Sequence, residues 1–380
     1  MNLTSNLFFG VIKNMGNFVK TIRGGWLLFA TLVIALFTMC NQNNAPVLIV
    51  NPYETINWDE SSQHKANFHA HTTQTDGNYS PHEVVDKYHQ MGYSILSITD
   101  HDRVIYPWTS FSELRDDYEN RDPDALGMLA VVGNELSRHH HTLSLFTDFK
   151  AQSRDLNEVL KNQADHSRDA VAVLAHPAMH WPRQFDTGGV LTDTVVSHYV
   201  NYYQRHKHLI GMEIHNGTRP MTEYPLDRAL WDSLLTVLMP DRPVWGFATD
   251  DLHASVQYGR DWVVLPLADL STGEARDALK NGAFYFSSIR LSEGDAPNKE
   301  LTPIIESIVH DRRKGTIKIE ARVGGDLSGE ESFHWISDGE VIHKGPVLPY
   351  KRVAGLGSYV RAEIYGDGGT TYTNPFGFAK

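Results

Sequence analysis

Asn67-Phe68-His69-Ala70-His71-Thr72-Thr73-Gln74-Thr75-Asp76-Gly77 is the stretch on which the reading of this 380-residue chain turns. Side chains alternate along a strand, so His69 and His71 project from one face and can grip one ion. A His-x-His pair by itself fits a packed core as well as a metal site, and its partners further along the chain decide between the two.

The residues that follow it read as a β-α-β unit. Ser80 is placed to cap a helix, Pro81 suits its first turn, and Glu83 completes a capping box. Val84, Val85, Tyr88 and Met91 recur at helical spacing, and Gly92 ends the helix before the apolar run Ser94 to Thr99. Strand-like runs return at Met128 to Val132, Ala170 to Ala175, Leu209 to Ile214 and Val244 to Ala248. This alternation predicts an α/β fold with a parallel sheet, most economically a distorted β/α barrel. From about Leu301 the texture changes to short alternating runs such as Thr316 to Ala321 and Tyr359 to Ile364, which predicts a small C-terminal all-β domain. The expected organisation is a signal segment over 1–40, a linker over 41–63, the barrel over 64–295 and the β domain over 300–380.

Each predicted strand ends in a polar signature: Thr99-Asp100-His101-Asp102, Gly133-Asn134-Glu135, Ala175-His176-Pro177, Glu213-Ile214-His215-Asn216-Gly217 and Thr249-Asp250-Asp251-Leu252-His253. In a barrel the carboxyl ends of the strands share one rim, so these residues are expected to converge there. The chain has 20 histidines but a single cysteine, so a metal must sit among imidazoles and carboxylates rather than thiolates. A formal charge of -12 and the lack of a basic stripe exclude a nucleic-acid-wrapping protein, and no stable nucleic-acid complex is expected.

The ordered set His-x-His, Asp, Thr-Asp-His, Glu, His, His-Pro and Asp-x-His resembles the polymerase and histidinol phosphatase (PHP) superfamily over about residues 64 to 290. The resemblance implies a distorted barrel that hydrolyses phosphoesters with up to three divalent ions, zinc, manganese or iron. It assigns His69, His71, Glu135 and Asp251 to a first ion. Glu135 bridges to a second, completed by His141 and His176, and Asp76, His101 and His253 hold a third. His141 is chosen over His139 and His140 because Leu143 to Phe146 follows it in the strand-like way of the family. Asp251 is preferred to Asp250 for its Asp-x-His spacing to His253. With all nine positions filled, the chain does not read as a degenerate, metal-free scaffold.

These residue types suit the chemistry. Imidazole and carboxylate accept zinc, manganese or ferrous iron, and a bridging carboxylate holds two cations near enough to share a hydroxide. Zinc can lower the pKa of bound water from about 15.7 to about 7, which supplies a nucleophile without serine or cysteine. Three divalent ions against three carboxylates leave the centre positive, so a small anionic phosphate ester, mono- or diester, is the expected substrate. Asp102 is a candidate to orient His101 or move a proton, or is a structural carboxylate. Arg103 is the first candidate to stabilise phosphoryl charge, ahead of Arg183 and Arg290. His215 and Asn216 are pocket residues or structural. The alternative chemistry is hydrolysis of a carboxylic ester, carbamate, lactone or amide, since a bridging hydroxide attacks carbonyls too. A metal-dependent surface scaffold is the remaining class.

At the N-terminus, Lys13, Lys20 and Arg23 precede the apolar run Trp26 to Met39, which is short of the about 20 residues that span a bilayer. Cys40 stands directly after it. The arrangement resembles a bacterial lipoprotein signal, which implies export and membrane anchoring through Cys40, with an uncleaved signal anchor as the alternative.

Overall fold

The computed structural model describes residues 45–218, 224–289, 299–322 and 329–379. The expected signal segment with Cys40, and Arg290, lie outside them. By their contacts, the residues from Leu48 to Ala379 form one compact unit.

The β-α-β unit forms as its residues dictate. Strand Ser62–Asn67 pairs in parallel with Ile95–Leu96 through Ala66 and Ile95, and the helix Pro81–Gln90 connects them. Glu83 reaches back to Ser80 N at 2.8 Å, the capping box expected from sequence. Pro81, Val84, Val85 and Tyr88 bury the inner helix face, and Gly92, at φ +76, takes the left-handed turn that stops the helix.

The described strands form three sheets, and no closed barrel is seen among them. The largest joins Leu129–Ala130, Ile95–Leu96 and Ser62–Asn67 in parallel, then continues antiparallel through Asp261–Leu267 and Tyr285–Ile289. The second runs Gly133–Leu136, Thr142–Leu145, Val171–Leu174, Leu209–Asn216 and Trp245–Thr249. Its first two pairings are antiparallel, so the all-parallel alternation expected from sequence does not hold here. The cause is a tight reversal after Leu136: five residues reach the next strand, too few for a helical crossover. The remaining pairings, Val171–Leu174 with Leu209–Asn216 and that strand with Trp245–Thr249, are parallel.

The runs expected at Thr316 to Ala321 and Tyr359 to Ile364 are the strands Thr316–Arg322 and Tyr359–Tyr365. Gly369–Thr373 pairs antiparallel with Tyr285–Ile289, so C-terminal strands prolong the largest sheet. Ile304–Asp311, Thr316–Arg322 and Val347–Leu348 make the third, antiparallel sheet. The C-terminal strands are fixed to the helix Tyr224–Leu238 by a buried ionic network, in which Arg361 donates to Asp232 Oδ2 at 2.7 Å and to Glu363 Oε1 at 2.6 Å.

Two isolated parallel bridges bring the strand ends together. Ala70 pairs with Leu252, and His101 pairs with Glu135. Both bridges lie among the residues singled out by their sequence pattern, and they draw those ends to one place without a continuous ladder.

Candidate metal centre

The His-x-His segment is pinned from both sides. Ala70 N donates to Thr99 Oγ1 at 3.1 Å, and His71 N donates to Leu252 O at 2.9 Å. His69 and His71 are completely buried. The His69 Nδ1 faces Glu213 Oε1 at 2.7 Å, and a carboxylate accepts only, so Nδ1 carries a proton and Nε2 is the ring atom left to face an ion. That Nε2 lies 3.1 Å from His71 Nε2 and 3.2 Å from Asp251 Oδ1. His71 Nε2 lies 3.1 Å from the same oxygen. Two ring nitrogens and a carboxylate thus converge on one buried point, an arrangement that requires a proton or a cation between them.

Glu135 is the hub. Its Oε1 is 2.9 Å from His141 Nδ1 and 3.2 Å from His176 Nε2, while Oε2 is 2.7 Å from His101 Nδ1. The last pair is close but not aligned as a hydrogen bond, and both atoms are buried without such a partner. Burial alone would raise the Glu135 pKa, but His69, His101, His141 and His176 outweigh it and hold the carboxyl well below the usual range. Asp251 follows the same pattern, with burial opposed and outweighed by His69, His71 and His176. Burial works to lower His69, and Asp251, Glu213 and Glu135 together push it well above the ordinary imidazole value.

A third cluster lies toward solvent. Asp76 Oδ2 is 3.3 Å from His101 Nε2 and 3.4 Å from His253 Nε2, and Asp76 Oδ1 is 3.6 Å from His71 Nδ1. His253 Nδ1 donates to Asp251 O at 2.8 Å, which turns its Nε2 lone pair toward Asp76. The Thr72 to Gly77 turn delivers Asp76, and it needs glycine at its end, because a Cβ on Gly77 would stand 2.5 Å from the His71 backbone.

All nine residues assigned by sequence therefore meet. Donor atoms lie within 4.8 Å of one another in the groups His71/Asp76/His101/His253, His69/His71/Asp251, His69/Glu135/His176 and His101/Glu135/His141. A nitrogen-rich set with buried, ionised carboxylates fits zinc, manganese or iron as ligands. Three of the surrounding residues, Asp102, His176 and Asp251, hold left-handed backbone at φ +51, +30 and +46, a concentration of strain typical of functional sites.

The geometry separates the neighbouring residues. His141 faces Glu135, whereas His140 Nε2 lies 2.6 Å from Tyr199 OH. Asp250 turns away to accept from Tyr88 OH at 2.8 Å and from the backbone of Gly259, Arg260 and Asp261. Asp102 accepts from Ser137 Oγ at 3.1 Å and has Arg138 Nε 4.0 Å away, so it is engaged by these two residues rather than by the His101 ring. Arg103 is exposed and donates to Gln74 O at 3.3 Å, and Arg183 is also exposed. His215 packs its ring on Tyr372 at 4.9 Å, and burial pushes its pKa down to about 3.

Glu213 was not singled out as a functional side chain, yet it orients the centre. Besides His69 it accepts from His176 N at 2.9 Å, from Asn216 Nδ2 at 2.7 Å and from Thr249 Oγ1. Its signal was an acid inside the otherwise buried run Leu209 to Ile214. Asp100 was likewise unassigned; it accepts from Thr72 N at 2.9 Å and Oγ1 at 2.7 Å, and from Thr75 Oγ1, bracing the loop that carries Asp76.

No family model matches the sequence, and no curated protein matches it. Solved structures similar to the chain include a two-domain protein from Bacteroides vulgatus described as containing a predicted PHP-like metal-dependent phosphoesterase. It is 16% identical, with a TM-score of 0.47, over 87% of this chain and 99% of that one. A Bifidobacterium adolescentis protein described as a metal-dependent phosphoesterase is 15% identical, with a TM-score of 0.36, over 59% of this chain and 98% of its own. An amidohydrolase from Chromobacterium violaceum with bound sulfate is 14% identical, with a TM-score of 0.34, over 56% and 96%.

Proposed function

We propose that this protein is a metal-dependent hydrolase, and within that class a phosphoesterase acting on small phosphomonoesters or phosphodiesters at a centre of up to three divalent ions. The observation that carries the reading is Glu135. One fully buried carboxylate has His69, His101, His141 and His176 nitrogens within 3.4 Å, a crowd of acceptor-capable rings that cations would organise. His69, His71, Glu135 and Asp251 would hold the first ion; Glu135, His141 and His176 the second; Asp76, His101 and His253 the third. Bound there, zinc, manganese or iron would supply Lewis acidity toward a phosphoryl oxygen and a water acidic enough to attack at neutral pH.

The chain's own residues prepare the site. Glu213 fixes the His69 tautomer, the His253 hydrogen bond to Asp251 O fixes its ring, and the buried walls exclude bulk water from the inner donors. Arg103, leaving the rim directly after Asp102, would meet substrate charge that the ions do not reach. On this reading residues 64–295 carry the chemistry, the strands after 300 brace it, and Cys40 anchors an exported protein to a membrane. No helix among the described residues is long and apolar enough to cross one.

The test is metal analysis of the purified chain, followed by turnover of nitrophenyl phosphate and bis-nitrophenyl phosphate. Metal binding with phosphate-ester turnover is expected. A fully metallated protein that cleaves carboxylic esters or amides and no phosphate ester would transfer the assignment to carbonyl chemistry. One that binds ions and hydrolyses nothing in a broad ester panel would point to a scaffold. For the anchor, Cys40→Ser should release the protein to the soluble fraction, and unchanged partitioning would indicate an uncleaved helix.

A further inference from the structure

One imidazole at the centre has no assignment. His180 follows His176 by four residues, across the tight turn Pro177–Met179. Here the donor atoms of His141, His176 and His180 lie within 4.8 Å of one another. Their ring centroids form a triangle of 5.0, 5.0 and 5.7 Å.

The turn is held firmly enough to place a ligand. Met179 N donates to His176 O and His180 N to Pro177 O, both at 2.9 Å, and Ala178 N donates to the buried Asp227 Oδ1 at 2.7 Å. Trp181, the next residue, is completely buried. The His180 ring stacks on His140 at 4.6 Å, and His140 is itself fixed by Tyr199. The His180 Nε2 accepts the His141 backbone N–H at 3.4 Å, beyond the usual hydrogen-bond range, so its lone pair is weakly committed. His176 Nδ1 is buried with no hydrogen-bond partner.

We infer that His180 is a further ligand of the cation held by His141 and His176, so that this position has three imidazoles, as many as the group around Asp76, beside a carboxylate, Glu135, that is completely buried. The inference rests on the metal-hydrolase reading. Three imidazoles with one carboxylate make a set of four donors, the number that closes a structural zinc site, whereas catalytic zinc keeps a place open for water or substrate. This position would then bind its ion hardest and prefer zinc over magnesium or calcium, leaving exchangeable places to the ions at His71, Asp76 and Asp251.

The experiment compares wild type, His180→Ala, His180→Gln and, as a neighbouring control, His139→Ala, each as the full chain loaded with zinc. Chelator competition followed by elemental analysis reads affinity and stoichiometry without reference to turnover. Wild type and His139→Ala should retain the most tightly held equivalent, and both His180 variants should lose it or hold it about 10-fold or more weakly, the lower scale of a lost supporting contact at a metal. A measurement on wild type alone guards against misfolded variants: zinc should protect His180 from diethyl pyrocarbonate, read by peptide mass spectrometry. Equal affinities in His180→Ala and wild type, or His180 modified equally with and without zinc, would overturn the inference. A wild type that binds no divalent ion would instead overturn the hydrolase reading beneath it.

Discussion

Replacing Glu213 by glutamine tests whether the centre depends on a residue that touches no substrate. The carboxylate accepts from His69 Nδ1 and Thr249 Oγ1 on one oxygen and from His176 N and Asn216 Nδ2 on the other. A glutamine keeps one accepting oxygen and presents an NH₂ to the remaining side, where it meets two donors. If the amide turns toward His69, the ring must give up its Nδ1 proton, and Nε2 then carries the proton that blocks the donor atom. If it turns toward His176, the His176 N–H and the Asn216 amide lose their acceptor inside a fully buried site, at a cost of about 1–3 kcal/mol in stability. Partners of this kind typically govern metal affinity by about 10- to 100-fold, equivalent to about 1.4–2.7 kcal/mol. Glu213→Gln should therefore bind zinc about 10- to 100-fold more weakly by chelator competition, with a modestly lower melting temperature without added metal. A variant that matches wild type in both zinc affinity and melting temperature would refute the claim that the centre depends on Glu213.

Glu135→Gln should lower metal content and activity together, because Glu135 serves two positions; full occupancy with normal turnover would remove it from the centre. Asp76→Ala should lose one ion and leave about two, since its partners lie toward solvent from the buried core; complete metal loss by elemental analysis would show that the clusters are not separable. Arg103→Ala should keep its metals and lose roughly 10- to 1000-fold in phosphate-ester turnover, the scale of one lost charge-stabilising donor; unchanged kcat would leave Arg103 a surface residue. Away from the centre, burial opposes but Arg361 and Arg228 outweigh it to pull Glu363 from 4.5 down to about 2. A depressed carboxylate stabilises the fold above its unfolded pKa, and roughly 3 kcal/mol should be lost as pH falls from about 4.5 to about 2. Glu363→Gln should flatten that acid limb in denaturant titrations at each pH, and an unaltered limb would contradict the assignment.

The sequence made the site more legible than the fold. Every one of the nine assigned donors arrives at the centre, because local spacing specifies their faces: His69 and His71 by strand alternation, Asp76 by a turn closing on Gly77. The helix Pro81–Gln90 was equally plain, since Ser80, Pro81 and Glu83 act within one turn. Strand partners were not. Val171–Leu174 reads as the same buried run whether it pairs in parallel or not, and it does both, antiparallel to Thr142–Leu145 and parallel to Leu209–Asn216. An apolar pattern records that both faces are covered and carries no information about the direction of the neighbour.

Glu213 and His180 escaped notice for a related reason. Each acts through residues far away in the chain or through a turn geometry that spacing alone does not declare, so neither belongs to a local motif that can be read by itself. The convergence of strand ends did not require the closed barrel that made it easy to anticipate. The bridges Ala70 to Leu252 and His101 to Glu135 suffice, because each fixes a ligand-bearing segment at its own backbone. His101 and Glu135 are bridge partners and ligand candidates at once, so backbone register directly sets the approach of Nδ1 to the carboxylate. A displacement by one residue would turn both side chains to opposite faces. The convergence thus depends on register at two points rather than on closure of a sheet, which is why the meeting of these side chains could be anticipated while the surrounding topology could not.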